Sequence, residues 1–167
     1  VKITAPDDHI VGATGTLQNP KKVLTKNQLS RLESARQDYD NPVIIASQDE
    51  AVQAEKTKSS GHKQWHFKAE NVRDFAFASS RKFIWDAMAV KQPSGKDVLA
   101  MSYYPKEGNP LWEDFSTRAV VQTLKTYTRH TFDYPYPVAI SVNAKQIGME
   151  YPMICFNYGR TQADGSY

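Results

Sequence analysis

The chain has 167 residues, of which 40% are hydrophobic and 23% charged, and its formal net charge is +3. That length buries a core for one domain or for parts of two, and the composition excludes a disordered chain. The 21 basic residues are dispersed among 18 acidic ones, so no basic block marks a nucleic-acid partner, and no apolar run approaches the ~18 residues of a membrane span.

The opening "VKITAP" reads as the middle of a strand, and "HIVGATGTLQNP" adds more β-branched residues ending at a proline. "TKNQLSRLESARQ" changes the pattern. Thr25 with Gln28 makes a capping box, and Leu29 and Leu32 follow at helical spacing. Val43 to Ala46 is a short apolar strand, Ser47 with Glu50 predicts a second cap and a short helical turn, and "AEKTKSSG" reads as a polar connection. "HKQWHFKA" alternates, with Trp65 and Phe67 on one face and His62 and His66 on the other. "VRDFAFASSRKFIWDAMAV" is either one long bent strand or a pair.

"KQPSGKD", residues 91–97, is the best internal boundary. "VLAMSYYP" is a strand, and the clearest helix runs from about Leu111 to about Phe132. Val120, Leu124, Tyr127 and Thr131 form its apolar stripe. Pro135 and Pro137 end it, "VAISVNA" is a strand, and "KQIGMEYPMICFNYG" closes the pattern. The fold class expected is α+β and β-rich, divided near residue 95.

Few residues suggest chemistry. His62 and His66 stand four strand steps apart, about 13 Å at ~3.3 Å per residue, too far to share one zinc. His9 and His130 have no ligand-like neighbours in sequence, and His130 suits the C-terminal end of a helix dipole. The single cysteine, Cys155, excludes an internal disulfide and a multi-cysteine zinc site, and its setting in "PMICF" predicts a small core residue. No nucleophile elbow, phosphate loop or dinucleotide fingerprint is present. Glu150 stands out as a carboxylate inside an apolar strand pattern. It is either a solvated edge residue or an anion at a groove rim that pairs with a ligand cation, with Gly148 leaving room for close backbone approach.

"IGMEYPMI" resembles the Gly-Ala-Met-Glu-Asn exopeptidase motif of the aminopeptidase N family of zinc metallopeptidases, which includes leukotriene hydrolase. It looks most like the bacterial branch that reads Gly-Met-Glu-Tyr-Pro. "LWEDFSTRAVVQTLKTYTRHTFDYPYP" is similar to the first helix of that family's catalytic domain, followed by the same strand and motif. "ENVRDFAFASSRKFIWDA" and "VKITAPDDHIVGATGTLQNP" resemble strands of its N-terminal β domain. The resemblance is strong from Glu70 to Tyr158 and weaker over residues 21–60. Ile147 stands where the family has its first motif glycine, and Tyr151 where it has asparagine.

The resemblance implies a substrate site and an incomplete enzyme. Gly148, Met149, Glu150 and Tyr151 would bind substrate, with Glu150 pairing with the free α-ammonium of a peptide and the neighbouring backbone meeting the extended chain. Residues 1–95 would be the later part of the N-terminal β-sandwich or saddle domain. Residues 96–167 would open the thermolysin-like catalytic domain, ending before the zinc-binding helix. The family's zinc ligands, His-Glu-x-x-His plus a downstream glutamate, do not occur in this sequence. They and the general base are expected after Tyr167, so zinc is expected in a longer parent and none in this segment. The implied partner is a peptide with a free N-terminus, and the segment alone is expected to be inactive. The family's bacterial members are compatible with export of the parent to the periplasm or cell surface. The rival reading is a non-catalytic β-rich binding module or a pseudo-enzyme scaffold.

Overall fold

The computed structural model describes residues 1–145, 148–162 and 164–166. In chain order the elements are β1 Lys2–Pro6, β2 Ile10–Ala13, β3 Thr16–Leu17, α1 Pro20–Val23, α2 Lys26–Ala35, β4 Val43–Ala46, α3 Gln48–Thr57, β5 His62–Lys68, β6 Phe77–Ser80, β7 Ile84–Lys91 and β8 Asp97–Tyr104. A 3-10 turn at Lys106–Gly108, a π-helical turn at Trp112–Ser116, α4 Thr117–His130, β9 Val138–Asn143, β10 Met149–Tyr151 and β11 Ile154–Asn157 follow. The fold is mixed and β-rich, as expected.

Both capping boxes form. Thr25 and Ser47 each accept from the backbone three residues on, and Gln28 and Glu50 reach back to the cap amides. The second box starts a full helix rather than a short turn, because Ala51, Val52 and Ala54 continue a helix-forming sequence that ends at Thr57. Much of "AEKTKSSG" is therefore helical. The stretch from Val72 to Val90 is a pair of strands assigned to two different sheets, broken by the turn at Arg81 and Lys82.

Six strands make the central sheet, in the order β10-β11-β9-β8-β7-β4. β8 and β9 are parallel, joined by the α4 crossover, as parallel pairing requires. β11 is parallel to β9, while β10 returns antiparallel to it. β7 and β8 pair along their whole length around a turn where Gly95 has φ of +85°. The boundary near residue 95 thus falls at a hairpin turn inside one sheet, with strands from both sides sharing it.

β7, β8 and β9 are buried on both faces. One face carries Trp85, Leu99, Met101, Tyr103, Ile140 and Val142 into the main core with Trp65, Phe67 and Val11. The smaller sheets supply that layer: β1-β5-β3 and the β2-β6 pair. The opposite face packs Met88, Val90, Val98, Ala100 and Ala139 against Val121 and Leu124 of α4. The stripe read from the sequence is therefore rotated. Leu124 is buried, but Thr117 and Val121 are its inward partners, while Tyr127 is 67% exposed. Val120 and Tyr127 lie to one side of the buried stripe and face the groove instead of the sheet.

Asp86 sits under the first turn of α4 at 1% exposure. Tyr104 Oη donates to its Oδ2 at 2.6 Å, and the Thr117 hydroxyl donates to its Oδ1. Thr117 Oγ1 lies 2.7 Å from Ser102 Oγ, which lies 2.8 Å from Ser116 Oγ. A hydroxyl has one proton. With Thr117 giving its own to Asp86, the protons run from Ser116 through Ser102 and Thr117 to the carboxylate. Burial pushes the Asp86 carboxyl up to about 6, against the lowering effect of the Thr117 and Tyr104 hydroxyls, with Glu113 raising it and Arg118 lowering it further.

That shift makes folding pH-dependent. The native carboxyl holds its proton more tightly than the unfolded one, whose pKa is near 3.8. Stability is therefore highest below about pH 4 on this account and falls as pH rises to about 6, by about 3 kcal/mol in all. Asp86→Asn should flatten this slope. Urea unfolding of both proteins from pH 4 to pH 7 checks it: the difference in midpoint should shift in favour of the variant as pH rises.

Candidate functional site

Glu150 lies on β10, the edge strand at one end of the central sheet. The strand pairings align it with a row of polar residues. Asp86 is opposite Ser102, Ser102 opposite Ser141, Ser141 opposite Cys155, and Cys155 opposite Glu150. All five project to the α4 side of the sheet. Exposure grows along the row, from buried Asp86 and Ser102 to half-buried Cys155 and exposed Glu150.

The other expected substrate residues surround it. Gly148 and Met149 are exposed, Met149 at 43%. A Cβ built on Gly148 would meet nothing within 4 Å, so the fold itself leaves open the space that an approaching ligand backbone would use. Tyr151 is half-buried, its ring edge-on to Phe156 at 6.1 Å. Ile147, the departure from the motif's first glycine, lies outside the described residues. So does Tyr167, the residue after which the zinc ligands and general base are expected.

Beside this strand runs an open, mainly apolar groove of about 700 Å³, between α4 and the strands β9, β11 and β10. Val120, Leu124 and Tyr127 line the helix wall, and Glu150 stands among the lining residues of the strand side. The groove thus takes up part of the helix stripe that the core leaves out. Its floor carries a small polar cluster. Asn157 Nδ2 donates to Ser141 Oγ at 2.9 Å and lies 3.2 Å from Cys155 Sγ, while Cys155 Sγ donates to the Ile140 carbonyl at 3.3 Å. Cys155 is therefore a half-buried groove residue rather than a core filler, because β11 alternates and sends Ile154, not Cys155, into the core. Burial pushes the Cys155 thiol up, which keeps it protonated and a poor nucleophile.

Two donors converge on the carbonyl of Gly159 just past β11: Trp112 Nε1 at 3.0 Å and Asn143 Nδ2 at 3.1 Å. They tie the segment after the edge hairpin to the start of the helix. Nothing in the sequence pattern pointed to Trp112 or Asn143 for this.

The histidines stand apart from the groove. His62 and His66 both belong to β5, opposite Pro6 and Lys2 of β1. His130 is in the last turn of α4, as its position suggested. His9 has a partner that sequence could not reveal, Ser79 Oγ at 2.9 Å from its Nδ1. Burial and the Arg81 guanidinium hold its pKa below the usual imidazole range. Among the described residues no three His, Cys, Asp or Glu side chains stand together as a metal site, so the donors present do not fit a zinc ion, and no helix is long and apolar enough to cross a membrane.

No protein-family model matches the chain, and no curated protein does. Solved structures do. A variant of a two-domain M1 zinc metallopeptidase bound to L-tryptophan aligns with a TM-score of 0.55 at 12% identity, over 93% of this chain. The M1 zinc metallopeptidase bound to L-arginine gives 0.55 at 13% identity over 98%. An M1 zinc metallopeptidase from Deinococcus radiodurans, bound to a Tyr-Ser-Ala substrate, gives 0.52 at 12% identity over 98%. This chain has the fold of part of an M1 zinc metallopeptidase. It spans 28–30% of the length of those structures.

Exposure at Glu150 has a direct consequence for folding. An exposed carboxylate on an edge strand contributes little to stability, so Glu150→Gln should leave the thermal midpoint within about 2 °C of the unchanged chain. Circular-dichroism melts of the two proteins check this.

Proposed function

We propose that this chain is part of a zinc aminopeptidase and carries its anchor for the free N-terminal ammonium of a peptide. The observation that carries the reading is Glu150, exposed on an edge strand beside an open groove, in a chain with the fold of M1 zinc metallopeptidases. The order of helix, Tyr-Pro-Tyr-Pro, strand and Gly-Met-Glu supports it.

On this reading, residues 1–95 are the later part of the N-terminal β domain and residues 96–167 open the catalytic domain. The parent holds zinc with residues that this chain does not contain, so no hydrolytic step is assigned to the residues present. Their part is recognition. The Glu150 carboxylate accepts hydrogen bonds from the ammonium of the first residue. Gly148 and Met149 offer backbone groups along the open side of β10, in the manner of strand addition. An acylated N-terminus has no positive charge and one N–H, and loses the ion pair. That difference confines cleavage to the chain end.

The apolar groove supports a second reading, a binding module or pseudo-enzyme that holds an extended ligand without cutting it. The gene separates the two: a His-Glu-x-x-His in frame after Tyr167, with a downstream glutamate, belongs only to the peptidase.

Binding to the chain in hand tests the anchor. Leucinamide should shift the backbone NMR signals of Met149, Glu150 and Tyr151 in a titration, and N-acetyl-leucinamide should not. Glu150→Gln should weaken leucinamide by about 2- to 5-fold, the range for a solvent-exposed ion pair. Equal shifts from the two ligands would refute the ammonium role. With added zinc, the chain alone should release no amino acid from an aminoacyl-nitroanilide, and sustained release after removal of contaminating peptidases would count against the division of labour described above.

A further inference from the structure

β10 and β11 are joined by a two-residue turn, since Tyr151 pairs with Ile154 across Pro152 and Met153. Pro152 fixes its own φ near −65°, and Met153 has φ of +68°. Negative φ followed by positive φ is the type II pattern. Two faults follow. Two-residue hairpins favour types I′ and II′, whose twist matches the strands, and type II does not match it. A positive φ is also costly at a residue with a side chain as long as methionine's. The turn therefore needs an outside hold. Type I and type II turns differ by a flip of the central peptide, so a hydrogen bond to the Pro152 carbonyl is the contact that selects between them.

That bond comes from the other layer. Thr14, between β2 and β3, has no solvent exposure. Its Oγ1 donates to the Pro152 carbonyl at 3.2 Å and accepts from the Ala76 amide at 3.1 Å. The Thr14 amide donates to the Ala76 carbonyl at 3.0 Å, so the threonine is itself fixed. Its neighbours leave it no slack. A Cβ at Gly12 would come within 2.9 Å of the Tyr103 ring, and one at Gly15 within 2.3 Å of the Lys68 carbonyl.

We propose that Thr14 is a positioning residue for the Glu150 strand: its hydroxyl holds the Pro152–Met153 peptide in the type II orientation and so sets where β10 presents its carboxylate. The functional consequence rests on the ammonium-anchor reading, while the effect on the turn does not. Thr14→Val keeps the shape and removes the hydroxyl. Thr14→Ser keeps the hydroxyl.

The readout is NMR of the whole chain. In the unchanged protein and in Thr14→Ser, Met153 should show the strong intra-residue amide-to-α NOE of positive φ, and Glu150 and Cys155 should show cross-strand NOEs. Thr14→Val should lose the first and weaken the second, with the NOEs of the β7–β8 pair intact. Its affinity for leucinamide should fall by about 5-fold. Thr14→Val with an unaltered turn would overturn the proposal, since burial of Met153 and the 2.9 Å hydrogen bond from the Ile140 amide to its carbonyl would then suffice. Should Thr14→Val fail to fold, Thr14→Ala carries the same readout, and an unaltered turn there overturns the proposal equally. A turn lost in Thr14→Val, in a protein whose unchanged form ignores leucinamide, would support the role of Thr14 and refute the ammonium anchor.

Discussion

Four strand pairings in register place Glu150. Because side chains alternate across a sheet, a slip of one residue at any pairing from β7 to β10 would break the row Asp86, Ser102, Ser141, Cys155 and Glu150 at that point and turn the shifted strand's member onto the opposite face. That face is the main core, where Trp85, Tyr103 and Val142 sit. A slip would turn a polar side chain toward the core and an apolar one away from it. The cost of both errors fixes the register, and the register fixes the site. Antiparallel β7–β8 is held further by its hairpin. The parallel β8–β9 pair has no such tether and depends on the burial of both sheet faces.

The same row shows how position alone separates two carboxylates. Asp86 is enclosed by the helix and reached by Tyr104 and Thr117, so its hydrogen bonds are all internal. It ties the first turn of α4 to the sheet. Glu150, at the sheet edge, belongs to the same cross-strand line but lies open to solvent. The intervening Ser102, Ser141 and Cys155 grade one environment into the other. At the enclosed end burial raises the carboxyl's pKa above its ordinary value.

Local grammar was legible in the sequence. Thr25–Gln28 and Ser47–Glu50 announced their helix starts, because a capping box uses only residues three apart. Trp65 and Phe67 announced the buried face of β5, because alternation is local too. What could not be read depended on distance along the chain. Thr14 meets Pro152 and Ala76, His9 meets Ser79, and Trp112 and Asn143 share Gly159. Asp86 gave no signal, since "IWDAMAV" looks like a strand with one solvated position until its neighbours close over it. The inward face of α4 was misplaced because the helix is apolar on two adjoining faces, one packed on the sheet through Val121 and Leu124 and one lining the groove through Val120 and Tyr127. The Gly-Met-Glu segment was legible only through resemblance, since its alternation fitted a solvated edge as well as a binding rim.

The phase of α4 bears on the groove. A helix that packs on a sheet needs one apolar stripe, and Val121 and Leu124 supply it. Val120 and Tyr127 lie to one side of that stripe and form the wall facing the edge hairpin. The helix is thus apolar over a wider arc than its contact with the sheet requires. The surplus faces the same opening as Glu150, so an extended ligand whose ammonium met that carboxylate would lay its first side chain against aliphatic and aromatic surface. Charge at the rim would set the register of such a ligand. The wall would reward apolar side chains, because burying them there removes surface from water without stranding a polar group.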